Sequence, residues 1–159
     1  VPGSRYYSVE FEAVAVTAAQ DLFYIAPADD KPCIVHAVFL GQTTELGDVA
    51  EEQLRIKVIR GHATVGSGGS AATPTALNPS DGAAGFTARV NDTAQASAGT
   101  AVDLHSDTWQ IRGPYALILT PEMRWGVTQA AGTTLVVRLM AAPIDSVTIS
   151  GTLYVEEAG

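Results

Sequence analysis

The sequence predicts an all-β domain: an antiparallel two-sheet sandwich, jelly-roll-like, with about ten strands. Three observations predict it. No long window repeats apolar residues at intervals of three and four, so amphipathic helices are absent from the pattern. Runs with period two recur instead, each closed by Gly, Pro, Asn or Asp. No crossover helices separate these runs, and parallel pairing would need them, so the pairing is antiparallel.

Tyr6 to Thr17 is the first strand. Tyr7, Val9, Phe11, Ala13 and Ala15 share one parity, while Glu10, Glu12, Val14 and Val16 share the other. The change from Glu to Val on that second face reads as a strand passing from solvent into cover. Asp21 to Ala26 follows, ended by Pro27. Cys33 to Leu40 is a nearly continuous apolar run, which reads as a strand covered on both faces. The polar stretch Gly41 to Glu52 has room for one helical turn at Asp48 to Gln53, with Asp48 as N-cap and Glu51 three residues on. Gln53 to Arg60 places Leu54, Ile56 and Val58 on one face. Arg55, Lys57 and Ile59 lie on the other.

Residues 62–85 read as a long irregular loop. Gly66-Ser67-Gly68-Gly69-Ser70 is flexible by composition, and Pro74, Pro79 and Asp81-Gly82 add turn signals. Further strands are expected at Phe86 to Val90, Ala101 to Ile111, Tyr115 to Leu119, Arg124 to Thr128, Thr133 to Ala142 and Val147 to Val155. Asn91 to Thr100 is a second small-residue loop. Val1 to Ser4 reads as a linker, which leaves 5–159 as one domain.

Composition narrows the function. The net charge is −8, and the only lysines are Lys31 and Lys57. Nucleic-acid binding needs a basic patch to displace counterions, and here the arginines stand singly. Anionic membrane surfaces are disfavoured on the same ground, and no apolar run approaches the ~20 residues of a bilayer span. The expectation is a soluble protein with no nucleic-acid or membrane partner. Charged residues are only 16% of the chain, and Ala, Gly and Thr are abundant. Low charge and small side chains suit close protein–protein contact, or a large core. Cys33, the one cysteine, excludes an internal disulfide and reads as a buried, inert thiol.

Catalytic signatures are missing. Serines are plentiful, but no Gly-x-Ser-x-Gly elbow occurs. His36 lies in the apolar third run and reads as a satisfied core histidine. His62 opens the flexible loop. The carboxylate pairs Asp29-Asp30, Glu51-Glu52 and Glu156-Glu157 are adjacent in sequence, so on a strand each pair splits between two faces. The Gly-rich loop lacks the Gly-Lys-Ser/Thr of a phosphate cradle. Asn91-Asp92-Thr93 matches a glycosylation sequon, relevant only in a secretory setting. No motif implies a cofactor, and an enzyme is not expected.

Two groups remain as candidate sites. Asp103, His105 and Asp107 recur on one strand face, and with a partner strand they could ligate a divalent cation. The ordinary reading is a solvated strand face. Trp109 shares that parity, and Trp109, Tyr115 and Trp125 are candidate partner contacts. Exposed aromatics would serve a protein interface or stack on sugar rings. The alternative is that both tryptophans pack in the sandwich. A carbohydrate- or ligand-binding module is thus the second functional reading.

Tyr6-Tyr7 through Thr17-Ala18-Ala19-Gln20-Asp21-Leu22-Phe23, Leu40-Gly41-Gln42, the strand LRIKVIRG, the Gly/Ser-rich loop and the closing GTLYVEE together resemble short structural proteins of tailed bacteriophages and prophages. The resemblance covers most of the chain. It implies a virion component of capsid-decoration or head-surface type, β-rich and trimeric, bound to copies of itself and to a capsid lattice. It carries over no catalytic residues.

Overall fold

The computed structural model describes residues 4–43, 52–128 and 133–159. The strands among them are β1 (Ser4–Val16), β2 (Gln20–Ala26), β3 (Cys33–Gln42), β4 (Gln53–Arg60), β5 (Ser70–Ala72), β6 (Thr75–Ala76), β7 (Thr87–Asp92), β8 (Val102–Gln110), β9 (Tyr115–Ile118), β10 (Trp125–Val127), β11 (Leu135–Leu139) and β12 (Val147–Ala158). The only helical element among the described residues is a 3-10 turn at Pro121–Met123. No helix among them is long and apolar enough to cross a membrane. Most of the expected helical turn at 48–53 lies outside the described residues. Ser4, read as linker, is the first residue of β1 and pairs with Ala158.

Every pairing between these strands is antiparallel. Sheet A runs β6-β1-β12-β3, with β9 and β10 placed one after the other along the far edge of β3. Sheet B runs β5-β7-β2-β11-β4-β8. The long strands alternate between the sheets except at β4 and β8, which pair within sheet B, and this is the order of a jelly roll. Segment β5–β7 is an insertion between the fourth and fifth strands of that pattern. The expected loop at 62–85 therefore carries two short strands. β5 pairs with β7 in sheet B, and β6 pairs with β1 in sheet A, so this segment crosses from one sheet to the other.

The inner faces pack one core. Tyr7, Val9, Phe11, Leu40 and Leu153 of sheet A meet Leu22, Phe23, Ile56, Val58 and Val137 of sheet B. Each such side chain removed from water contributes about 1.5–3 kcal/mol before the cost of ordering the chain. Phe11 and Phe23 touch across the layer at 5.2 Å between centroids. Gly151 lies opposite Phe11, and a Cβ there would sit 2.8 Å from Leu40 and 3.1 Å from the Phe11 ring. Glycine is what lets the ring lie on the strand.

Four β-bulges among the described residues set which side chains face the core. In β1 the register jumps between Phe11 and Val14, with Ala13 at φ 53°. One extra residue reverses parity. Tyr7, Val9 and Phe11 point inward before it, and Val16 points inward after it. The Glu-to-Val change in that strand is thus a bulge, not a passage into cover. Further bulges fall at Leu22, His36 and Leu104. β3, expected to be covered on both faces, buries Cys33, Val35, Val38 and Leu40 and leaves Ile34, His36 and Phe39 half-buried on the outside.

The apolar part of the outer face of sheet B is roofed by the chain itself. The loops 61–69 and 93–101 pair through Thr64 with Ser97 and Ser67 with Ala94. Ala96 packs there on Tyr24, Ile59 and Val136. Beneath the roof, Asp21 accepts hydrogen bonds from Arg138 Nε at 2.6 Å and from the Ala96 N–H at 2.7 Å. Asp92 accepts two from Arg89 and one from the Gly69 N–H. His62 is buried at the start of this roof rather than held in a flexible loop. Both of its ring nitrogens are without a partner among the described residues. Asn91 of the sequon is also buried, with its side-chain oxygen accepting from Gln20.

Candidate functional site

The bulge at Leu104 decides the fate of the predicted Asp/His row. His105 pairs with Val58, Asp107 with Ile56 and Trp109 with Leu54, so these three share the core-facing side of β8. Asp103 pairs with Ile59 and turns to the outer face, where Lys57 Nζ holds it at 2.9 Å. The three candidate ligands therefore do not converge. Among the described residues, no group of three or more His, Cys, Asp or Glu side chains is placed to hold a metal ion.

The structure brings together a different set. β8 is the edge of sheet B, and Asp107 lies between His105 on its own strand and Tyr115 on β9 of sheet A. His105 Nε2 is 3.2 Å from Asp107 Oδ2, and the Tyr115 hydroxyl donates to the same oxygen at 3.1 Å. The Thr108 N–H donates to Oδ1 at 2.8 Å. The His105 ring lies 5.6 Å from that of Trp125 on β10. Partial burial pushes the Asp107 carboxyl up. The Thr108 amide, His105 and the Tyr115 hydroxyl outweigh it and hold the group below the ordinary carboxylate range. Burial first, then the Asp107 charge and hydrogen bond, push the Tyr115 hydroxyl up. This cluster ties the two sheets together along the open edge of the sandwich.

Trp109 is buried and donates its indole N–H to the Gly113 carbonyl at 2.7 Å. Trp125 and Tyr115 are buried too. None of the three candidate partner contacts presents its ring to solvent, and neither tryptophan offers a platform for a sugar. Cys33 is fully buried, and burial, then the nearby Glu157 charge, pushes its thiol up to about 12.

The more exposed rings lie elsewhere, on the outer face of sheet A. Tyr6 of β1, Tyr154 of β12, Phe39 of β3 and Ile118 of β9 stand side by side because those strands are neighbours. Together with Leu77 and Arg124 they line a cleft of about 350 Å³. Phe39 and Tyr154 meet edge to face at 5.8 Å, and Tyr6 meets the His36 ring at 5.5 Å. His36, expected in the core, is the bulge residue of β3. It points outward and bonds Glu156 at 2.7 Å. Ile118 is 73% exposed and Leu77 54%. Large apolar side chains gathered in one exposed patch mark a contact surface more often than scattered ones do.

Glu156 and Glu157 split between two faces, as adjacent strand residues must. Glu157 is fully buried. It accepts hydrogen bonds from Arg5 and from the Gly85 and Phe86 N–H groups, each at 2.9 Å. With Tyr7 Oη donating to the Gly82 carbonyl and the Leu77 N–H to the Tyr6 carbonyl, it fixes the segment that carries Leu77 to the cleft.

No family model matches the chain, and no curated protein does. Among solved structures, it is weakly similar to a viral capsid protein. A mutant VP2 protein of infectious bursal disease virus, in derived T=1 particles, is 13% identical over 99% of this chain and 40% of that one, with a TM-score of 0.21. A second infectious bursal disease virus particle gives 17% identity over 97% and 39%, with a TM-score of 0.19. The chain thus spans about 40% of the length of those chains. The likeness identifies no family.

Proposed function

We propose that this chain is a non-enzymatic structural subunit of a virion surface, an oligomeric capsid-decoration protein with the trimer as its favoured assembly. One observation carries the self-association. On the outer face of sheet B, the apolar residues Tyr24, Ile59 and Val136 are covered by the protein's own loops, while the outer face of sheet A displays Tyr6, Phe39, Ile118 and Tyr154. An apolar patch left open on one sheet while that of the other is roofed supports a role in contact with other protein.

Four further features support the reading. Two of the three histidines and a buried aspartate are engaged in structural pairs: His36 with Glu156, His105 with Asp107, Asp21 with Arg138. The jelly roll is used by capsid proteins as well as by lectins, which is support by analogy of fold only. The sequence resemblance to phage structural proteins points the same way, and a net charge of −8 suits a basic or neutral lattice.

Size-exclusion chromatography with light scattering tests the oligomer. The expected mass is three times the 16.5 kDa chain. A monomer at every concentration would remove the self-association. Immunogold labelling of intact particles from the source of the chain tests the location. Label confined to material other than particles would contradict it.

A further inference from the structure

The cleft on sheet A holds a cation. Arg124 follows the 3-10 turn and lines the cleft beside Ile118, Phe39 and Tyr154. Its Nε–H is shielded from solvent and has no acceptor among the described residues. A carboxylate is the strongest partner for a guanidinium that lines an apolar cleft. Glu156 is the near acid of the same face, and His36 already engages it. The occupant that fits presents a carboxylate next to an aliphatic side chain.

That combination is displayed by an exposed tip in which the apolar side chain is the most exposed of those described. Between β11 and β12, the loop at 140–146 buries Pro143 and turns Ile144 and Asp145 out to solvent. Ile144 is 75% exposed, the largest value among the exposed large hydrophobic residues described. The tip is held in shape, because the Ile144 N–H donates to Glu52 Oε1 at 2.6 Å. It cannot serve its own cleft. Val147 and Tyr154 lie on one strand, β12, roughly 23 Å apart at the strand rise. A loop this short reaches only about 12 Å from its anchors.

We propose that the Ile144 and Asp145 tip of one copy docks in the sheet A cleft of the next. Ile144 packs against Ile118 and Phe39, and the Asp145 carboxylate accepts from Arg124. The inference rests on the self-association reading above and names its contact. Tip and cleft are different surfaces of one chain, so the contact is heterologous. It closes into a ring when the rotation between copies allows, and three copies give the trimer.

Two variants test it, each disarmed at one half. Ile144→Ser with Asp145→Asn removes the tip, and Arg124→Glu blocks the cleft. Each alone is expected to weaken association by roughly thirtyfold or more, with the circular dichroism spectrum of the folded chain unchanged. Mixed in equal amounts, they retain one good contact: the intact tip of the Arg124→Glu chain in the intact cleft of the other. Sedimentation velocity is then expected to show a heterodimer of twice the 16.5 kDa chain and nothing larger. Arg124→Glu combined with Asp145→Arg in one chain is expected to restore the wild-type species. Single variants that assemble like wild type would overturn the tip-and-cleft contact while leaving self-association standing. A mixture that stays monomeric would overturn the heterologous pairing. A wild-type chain that is monomeric throughout would overturn the self-association reading itself.

Discussion

Replacing Glu157 by alanine strips three hydrogen bonds from one buried carboxylate. The Phe86 N–H is buried and loses its acceptor, which costs about 1–3 kcal/mol. Gly85 is exposed, so water takes over its N–H, at a loss of about 0.5–1 kcal/mol. The Arg5 side chain is 23% exposed and partly rehydrates, which limits the loss of that pair to about 1 kcal/mol. The sum is about 2.5–5 kcal/mol, and for a chain of this size that lowers Tm by roughly 5–20 °C. Glu157→Gln keeps one carbonyl acceptor and is expected to lose about half as much. Thermal melting by circular dichroism reads both. Hydrogen exchange adds a local signature, because the Phe86 amide is expected to lose protection before the amides of β2 and β11. A drop below about 3 °C for Glu157→Ala, with Phe86 still protected, would refute the reasoning. The same substitution loosens the segment that delivers Leu77, so it is also expected to weaken self-association.

Native Cys33 is expected to resist Ellman's reagent at about pH 8 and to react once guanidinium unfolds the chain, since its thiol is pushed up to about 12; stoichiometric reaction of the folded protein within minutes would contradict this. Asp107 is held below the ordinary carboxylate range, so its contribution is present above the unfolded value and lost as pH falls through the folded one. The Tm gap between wild type and Asp107→Asn is therefore expected to narrow below about pH 4, and a gap that widens there would count against the cluster. Ala13 sits at φ 53°, where a β-branched side chain is strained. Urea midpoints are expected to fall by the equivalent of about 1–2 kcal/mol for Ala13→Val and to change little for Ala13→Gly; equal midpoints would dismiss the bulge as a constraint.

The strands are legible in the sequence because their patterns are local. Gln53–Arg60 follows from alternation and a closing glycine, and the structure has it at those residues. The bulges are not legible. An extra residue at Ala13 or Leu104 is defined by hydrogen bonds to a partner strand, and the partner is far away in sequence. That is why sequence alone groups Asp103 with His105 and Asp107, and why Trp109 reads as a candidate surface ring. The insertion at 62–85 looks like a loop for a related reason: Ser70–Ala72 and Thr75–Ala76 are too short and polar to show period two. The cleft draws on β1, β3, β9 and β12, so it exists only once strand order is known. One signal for it is present. Ile34, His36 and Phe39 alternate with Val35 and Val38 about a bulge, and the apolar residues on the outward side have no assigned cover. Arg124, a lone cation after the turn at Pro121, gives no sequence signal of its unmet donor.

The central claim is that the outer face of sheet A is covered by protein in the working assembly. Hydroxyl-radical footprinting read by mass spectrometry measures this residue by residue. Tyr6 and Ile118 are expected to react slowly in concentrated wild-type protein and quickly in the Arg124→Glu variant. Val65, 49% exposed and away from the cleft, is expected to react equally in both. Tyr6 and Ile118 reacting as readily in the wild type as in the variant would contradict the claim.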